Sequence, residues 1–353
     1  MSDEITAEGV LSPVREEPGA DLRRLDGGPE VPESFGDPED EYEAIREDRA
    51  LIDRSWAPEA LFTGEDRTRF LDGLVTCHLP ERAGQGFGYG FFTDVKGKIL
   101  ADAWIAVRPS GIVVELPPGR AETIREHATK YRIADRVEIS LRYPVRLFLP
   151  GEDGSSLDLE PLSIGTGREV EPAGFPVWAE AREVWGVPGL VLTAERIRGE
   201  ALWEHLRAGR RPVGLAALET ARIEAGFPRF GRDFDSTSLP QETGLEDRAV
   251  SYEKGCYLGQ EVVARIHYRG AVKRRLRGIE VEGEEVPPTG AEIRRVDTRE
   301  DGRPVGRLTS VTRSPAFQRV LGLSILHDRG NQPGTEVRIG EAHRGRVVEL
   351  PFA

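Results

Sequence analysis

The sequence predicts an α+β body followed by a small all-β domain. Three observations carry that expectation. Between 42 and 143, short apolar strands and helical segments alternate in an antiparallel order, as in an α+β sandwich. Between 271 and 353, six short alternating runs occur with no helical period, the pattern of a small β-barrel or jelly roll. No Gly-x-Gly-x-x-Gly follows a strand, so the dinucleotide fingerprint of a doubly wound parallel sheet is absent.

Length and composition bound the rest. The 353 residues suit two or three packed domains, and 38% hydrophobic with 31% charged residues fits a globular chain. No run of eighteen apolar residues occurs, so no membrane span is expected. The opening Met-Ser-Asp-Glu lacks the basic and apolar regions of a secretory signal. Two cysteines, Cys77 and Cys256, are too few for a disulfide framework, and a reduced, cytoplasmic setting is expected. The net charge of −13 argues against general nucleic-acid binding, which requires concentrated positive charge. Much of it is local: residues 1–41 hold thirteen acidic and three basic residues. A basic pocket for an anionic ligand is therefore compatible with the remainder.

Three regions follow in order. Residues 1–41 are acidic, proline-rich and aperiodic, and predict a disordered tail. Residues 42–270 form the body. Helices are expected over 43–52, 65–74, 119–131, 194–208 and 215–225, the last stopped by Gly226 and Pro228. Strands are expected over 56–63, 91–93, 99–107, 112–116, 137–141, 146–149, 177–182 and 189–192, with turns at 94–97 and 109–111. The polar stretch 229–253 has too few apolar residues to be core and is too long for a simple connection, which marks it as functional. A thiol then sits between two glycines in Lys254-Gly-Cys-Tyr-Leu-Gly-Gln-Glu261, just ahead of a helical run from Gln260 to about His267. Residues 271–353 complete the chain, with strands over 275–281, 291–296, 304–311, 319–326, 335–339 and 344–350.

Several motifs carry a family likeness. Leu51-Ile-Asp-Arg-Ser55, Phe62-Thr-Gly-Glu-Asp66 and Phe70-Leu-Asp-Gly-Leu-Val-Thr76 resemble the opening of the aminomethyltransferase (glycine-cleavage T-protein) superfamily. Gly214 to Gly226 resembles its helix ending in Arg-x-Glu-x-Gly, and Leu239 to Leu245 its Pro-x-Glu-x-Gly-Leu loop. Gly306 to Ser310, Pro315 and Pro351-Phe352 resemble its C-terminal barrel. Within the superfamily, Lys254 to Glu261 is similar to the signature of the YgfZ-type folate-binding proteins, which are implicated in iron–sulfur cluster assembly or repair. The resemblance implies a body with ferredoxin-like and Greek-key parts around a folate channel, and a β-barrel beside it. It implies tetrahydrofolate as ligand and iron–sulfur client or carrier proteins as partners. The other reading is a true aminomethyltransferase, moving a one-carbon unit from an aminomethyl-lipoyl carrier to tetrahydrofolate with release of ammonia.

The resemblance distributes roles by residue. Glu224 matches the carboxylate that accepts the pterin's paired N–H donors; the structural alternative is a helix-end carboxylate paired with Arg222 or Arg229. Trp56 and Tyr257 are candidate aromatic walls for the pterin, or ordinary core. Arg222 joins the cofactor-binding candidates, and Arg265, Arg269 or Arg232 are candidate partners for the anionic folate glutamates. Cys256, with Lys254 near in sequence, is a candidate thiolate, or a small buried residue in a glycine-rich loop. Cys77-His78 reads as structural, and no metal site is expected. Asp102 is the acid/base candidate. The superfamily's acidic pair is half lost here, since Ala101 takes the first position.

Overall fold

The computed structural model describes residues 14, 17–25, 28–79, 86–270, 272–297 and 302–353. The chain divides into two compact units, Met1–Phe92 with Ala101–Leu218, and Thr93–Leu100 with Glu219–Ala353. The division falls at 218/219, whereas the sequence places it near 270. Residues 219–270 join the C-terminal strands because their polar side chains bond to them: Arg222 and Asp233 to Ser310, and Glu242 to Arg274.

The first unit contains two large sheets. One has five strands in the order Gly88–Thr93, Ile99–Arg108, Gly111–Glu115, Glu59–Thr63, Glu138–Arg142. Helices Arg67–Asp72 and Ala121–Tyr131 connect its strands. The other has six strands in the order Thr166–Val170, Val177–Val184, Val187–Ala194, Val145–Pro150, Ala50–Asp53, Arg211–Pro212. Its pairs are antiparallel except the last, which is parallel. Val145–Pro150 and Ala50–Asp53 are buried at every position, which matches their nearly unbroken apolar sequence.

Buried charge links these two sheets. Glu59 and Glu115 on the five-stranded sheet meet Arg146 and Arg182 on the six-stranded one, and Arg108 meets Glu180 in the reverse sense. Burial would raise the Glu115 carboxyl, but Arg146, Arg182 and Arg54 outweigh it and hold it well below the usual carboxylate range. Burial lowers Arg54 to about 10 against the pull of Glu115. The Arg54 guanidinium also lies 5.2 Å and 5.6 Å from the ring centres of Trp56 and Trp185.

Two expectations are corrected here. The tail is not unstructured over its described part: Asp21–Arg24 pairs with Glu30–Ser34, and a helix spans Pro38–Arg46. Apolar residues are few in it, yet Val14, Leu25 and Val31 are buried. The fully buried Glu41 carboxylate accepts from Phe35 N at 2.6 Å and from Gly214 N at 2.7 Å, fastening the segment to the unit. The helix expected over 43–52 starts and ends earlier. Asp37 caps it with Pro38 in the first turn, and Asp48, at φ 57°, ends it. Leu51 and Ile52 serve a strand instead.

The second unit is built on seven antiparallel strands in the order Gly306–Arg307, Glu292–Arg295, Glu336–Ile339, His343–Val348, Arg274–Val281, Arg319–His327, Ser310–Ser314. The two outermost strands are separated in sequence by Leu308 and Thr309 alone, so the sheet must curl until its ends meet. The closing bonds are His327 N to Val305 O at 2.8 Å and Thr309 N to Leu323 O at 3.0 Å. Ile279, Ile293, Leu308, Val320, Val337 and Val347 fill the interior. The expected all-β tail is thus a closed, barrel-like sheet, with 304–311 split into two strands.

Glu41→Ala leaves two backbone N–H groups without acceptors and should cost about 2–4 kcal/mol in urea unfolding. Glu43→Ala, on the exposed face of the same helix, should cost under about 0.5 kcal/mol.

Candidate functional site

In the second unit the helix Leu215–Glu224 ends in a tight turn. Gly226, at φ 67°, donates to Ile223 O at 2.8 Å, and Phe227 N donates to Arg222 O at 3.0 Å. That turn leaves Arg222 and Glu224 at the helix end. Arg222 uses every guanidinium hydrogen. Nε and Nη2 donate to Glu219 at 2.9 Å and 2.7 Å, Nη1 to Phe227 O and Asp233 at 3.0 Å and 2.9 Å, and Nη2 also to Ser310 Oγ at 2.6 Å. Arg222 is fully buried with no donor left over, so its place among the ligand candidates is corrected: it is a structural lock. Burial would lower its pKa, but Glu219 and Asp233 outweigh that and raise it. Burial would likewise raise Glu219, but Arg222 and Arg229 outweigh it and bring it down to about 2. Glu224, 8% exposed, accepts from Ser314 Oγ, which in turn accepts from Phe317 N.

Lys254, Cys256 and Tyr257 sit together on one loop. Gly259, at φ 85°, closes it, and a Cβ there would meet Asp94 O at 2.5 Å. Thr93 Oγ1 donates to Leu258 O at 2.6 Å, so the turn at 93–98 clamps the loop. Lys254 is buried, with Nζ 5.5 Å from the centre of the Tyr257 ring. Tyr257 is buried too; its hydroxyl meets no partner among the described residues, and burial pushes its pKa up to about 12. Cys256 is exposed and free, which removes the reading of a small buried residue. The helix begins at Gln260 with Gly259 as its cap, so Cys256 lies ahead of its first turn. Arg265 and Arg269 are exposed on this helix.

In the first unit Asp102 is 9% exposed on the strand Ile99–Arg108 and accepts from Tyr89 Oη at 2.7 Å. Tyr89 packs 5.0 Å from Trp104 and edge-on to Phe91 at 6.1 Å, which fixes its hydroxyl. Trp56 is buried, donates Nε1 to Asp53 O at 3.0 Å and lies 5.7 Å from Trp185. The cavity beside it, lined also by Asp53, Phe35 and Val14, measures about 10 Å³, room for about one water. Trp56 thus packs as core, the alternative the sequence left open for it. Cys77 is buried where a Cβ on Gly90 would meet its sulfur at 2.6 Å, a structural placement.

Sequence reasoning missed Tyr89, because nothing in its spacing to Asp102 marks the pair. It also missed the buried cluster of Glu219, Arg222, Asp233 and Ser310, whose members lie up to 91 positions apart. The second unit has a cleft of about 470 Å³, lined by neither Cys256 nor Glu224.

Glu219 supplies a pH test. Its folded value of about 2 lies below the ordinary 4.5, so its contribution is complete above pH 4.5 and is lost as pH falls toward 2. Unfolding free energy should drop by roughly 2–3 kcal/mol across that window. Urea titrations of Glu219→Gln should show a flatter profile.

Known proteins share parts of this sequence and its fold. Residues 274–353 match the glycine cleavage T-protein C-terminal barrel domain. Over 335 residues the chain is 28% identical to a chloroplastic protein of Arabidopsis thaliana that carries a transferase name, covering 91% of this chain and 75% of that one. It is 29% identical over 338 residues to an aminomethyltransferase of Rubrobacter xylanophilus, covering 92% and 88%. It is 29% identical over 362 residues to that of Symbiobacterium thermophilum, covering 92% of each. The fold matches the crystal structure of the glycine cleavage system aminomethyltransferase T from Bartonella henselae, with a TM-score of 0.84, 19% identity and coverage of 97% and 96%. Together these show a glycine cleavage T-protein C-terminal barrel domain over residues 274–353 and, along most of the chain, a similarity to aminomethyltransferases.

Proposed function

We propose that the protein binds reduced folate and catalyses one-carbon transfer of the aminomethyltransferase type. The aminomethyl carbon of a lipoyl-bound group passes to tetrahydrofolate, its nitrogen leaves as ammonia, and the lipoyl sulfur returns as a thiol. The observation that carries the reading is Asp102, a nearly buried carboxylate held by the Tyr89 hydroxyl at 2.7 Å on the strand where the superfamily keeps its acidic residue. A carboxylate so fixed is suited to take up the proton that the attacking nitrogen gives away. The full-length likeness to named aminomethyltransferases supports it.

Glu224 is assigned the pterin contact by its motif, and Ser314 orients it. Tyr257 supports a ligand beside its loop through a different signal. A buried hydroxyl with no partner carries an energetic cost of about 1–3 kcal/mol, which a bound polar edge would remove.

A second reading rests on Cys256. An exposed thiol on the loop that resembles the YgfZ signature favours a role in iron–sulfur cluster assembly or repair, with client proteins reaching the loop from solvent. Lys254, two residues earlier, is buried with its amine 5.5 Å from the centre of the Tyr257 ring.

Purified protein, aminomethyl-lipoyl carrier and tetrahydrofolate separate the two. Folate-dependent ammonia release should appear, and Asp102→Asn should lower it by about 100-fold or more with folding intact. Glu224→Ala should weaken tetrahydrofolate binding by roughly 1.5–3 kcal/mol in calorimetry. Cys256→Ser should change neither stability nor ammonia release. Absence of ammonia release, with loss of iron–sulfur enzyme activity in cells carrying Cys256→Ser, would overturn the first reading in favour of the second.

A further inference from the structure

The cleft of about 470 Å³ in the second unit is lined by neither Glu224 nor Tyr257. It lies along the loop 231–238, the segment 304–309 and the end of the strand Arg319–His327. Arg232, Arg274, Arg307 and Arg329 all line it. Its carboxylates are already used. Asp233 accepts from Arg222 and Ser310, and Asp235 accepts from Thr237 N and Oγ1 at 2.8 Å and 2.7 Å.

The four arginines differ in what they have to spend. Arg274 is paired to Glu242 and Arg307 to Glu292, each at 2.8 Å. Arg232 and Arg329 have no ion pair among the described residues. Arg329 donates to Pro304 O at 2.5 Å and is otherwise exposed. Arg232 makes one long bond to Thr289 Oγ1 at 3.4 Å, and its Nε is buried with no acceptor. A buried guanidinium N–H without a partner is costly, and an arriving anion removes that cost. Guanidinium forks match phosphate and carboxylate oxygens in pairs. Phe234, Val305 and Ile325 add apolar surface to the same walls. Both the volume and this mixture fall in the range of small-molecule sites.

We propose that this cleft binds a small organic anion bearing a phosphate or paired carboxylates, with Arg232 and Arg329 as its charge partners. The resemblance also offers Arg232 to the folate glutamates, but neither Glu224 nor Tyr257 lines this cleft, and the proposal takes it as a separate site.

Isothermal titration of the full-length protein with pyrophosphate, and separately with citrate, tests the proposal. Saturable one-site binding is expected for at least one probe, and the tighter probe identifies the acidic group preferred. Arg232→Gln and Arg329→Gln should each weaken it by about tenfold or more. Arg125→Gln, an exposed arginine on the helix Ala121–Tyr131, should leave it unchanged. Arg329 is exposed, so its variant should fold normally and keeps the test informative if Arg232→Gln does not. No saturation with either probe up to about 10 mM would overturn the proposal. Equal binding by all variants would overturn it as well. Loss of tetrahydrofolate affinity in the same two variants would make the cleft part of the folate site and refute its independence.

Discussion

The second unit depends on one buried guanidinium. Arg222 joins the end of its own helix, the turn at Phe227, the loop at Asp233 and the barrel strand at Ser310. Two carboxylates, Glu219 and Asp233, offset its charge, and Arg229 offsets the surplus. A buried ion pair of this kind adds little net stability over an apolar replacement, but removing one partner strands the others. What it supplies is geometry. Glu224 lies two residues on, so its direction follows from how Arg222 is held.

The first unit uses charge in a similar way on a larger scale. Arg54, Arg108, Arg146 and Arg182 share Glu59, Glu115 and Glu180 inside the unit. Indole rings cover the excess positive charge: Trp56 and Trp185 face Arg54, Trp178 faces Arg108, and Trp104 faces Arg182. Trp104 also supports Tyr89, the residue that holds Asp102. The carboxylate proposed for proton transfer is thus one packing contact away from a network that fixes the register of two sheets.

Much of this architecture was legible in the residues, for reasons that can be named. Alternating burial in Glu336–Ile339 and Gly259 before Gln260 are local signals, and local signals survive in a sequence. The division at 218 was not legible, because the bonds that pull 219–270 toward the barrel are long-range and polar. The ordered N-terminal segment was hidden for a related reason. Its composition is that of a disordered chain, and a single buried carboxylate, Glu41, reverses the outcome. Arg222 and Glu224 look alike in a motif as polar residues at a helix end. Only the count of satisfied hydrogens separates a lock from a ligand contact. For Trp56 the sequence left wall and core both open, because an aromatic residue in a family motif serves either, and its burial favours core. The proposed anion cleft left no motif, since its arginines come from four separate segments.

Closure of the barrel through Leu308 and Thr309 has a consequence for how the unit meets other chains. Those two residues act as a hasp: severing the backbone there would free both margins of the sheet together. While it is intact, an incoming peptide finds little unpaired backbone along which to add a strand. A partner of this unit would then engage side chains, such as the exposed Cys256 on its loop.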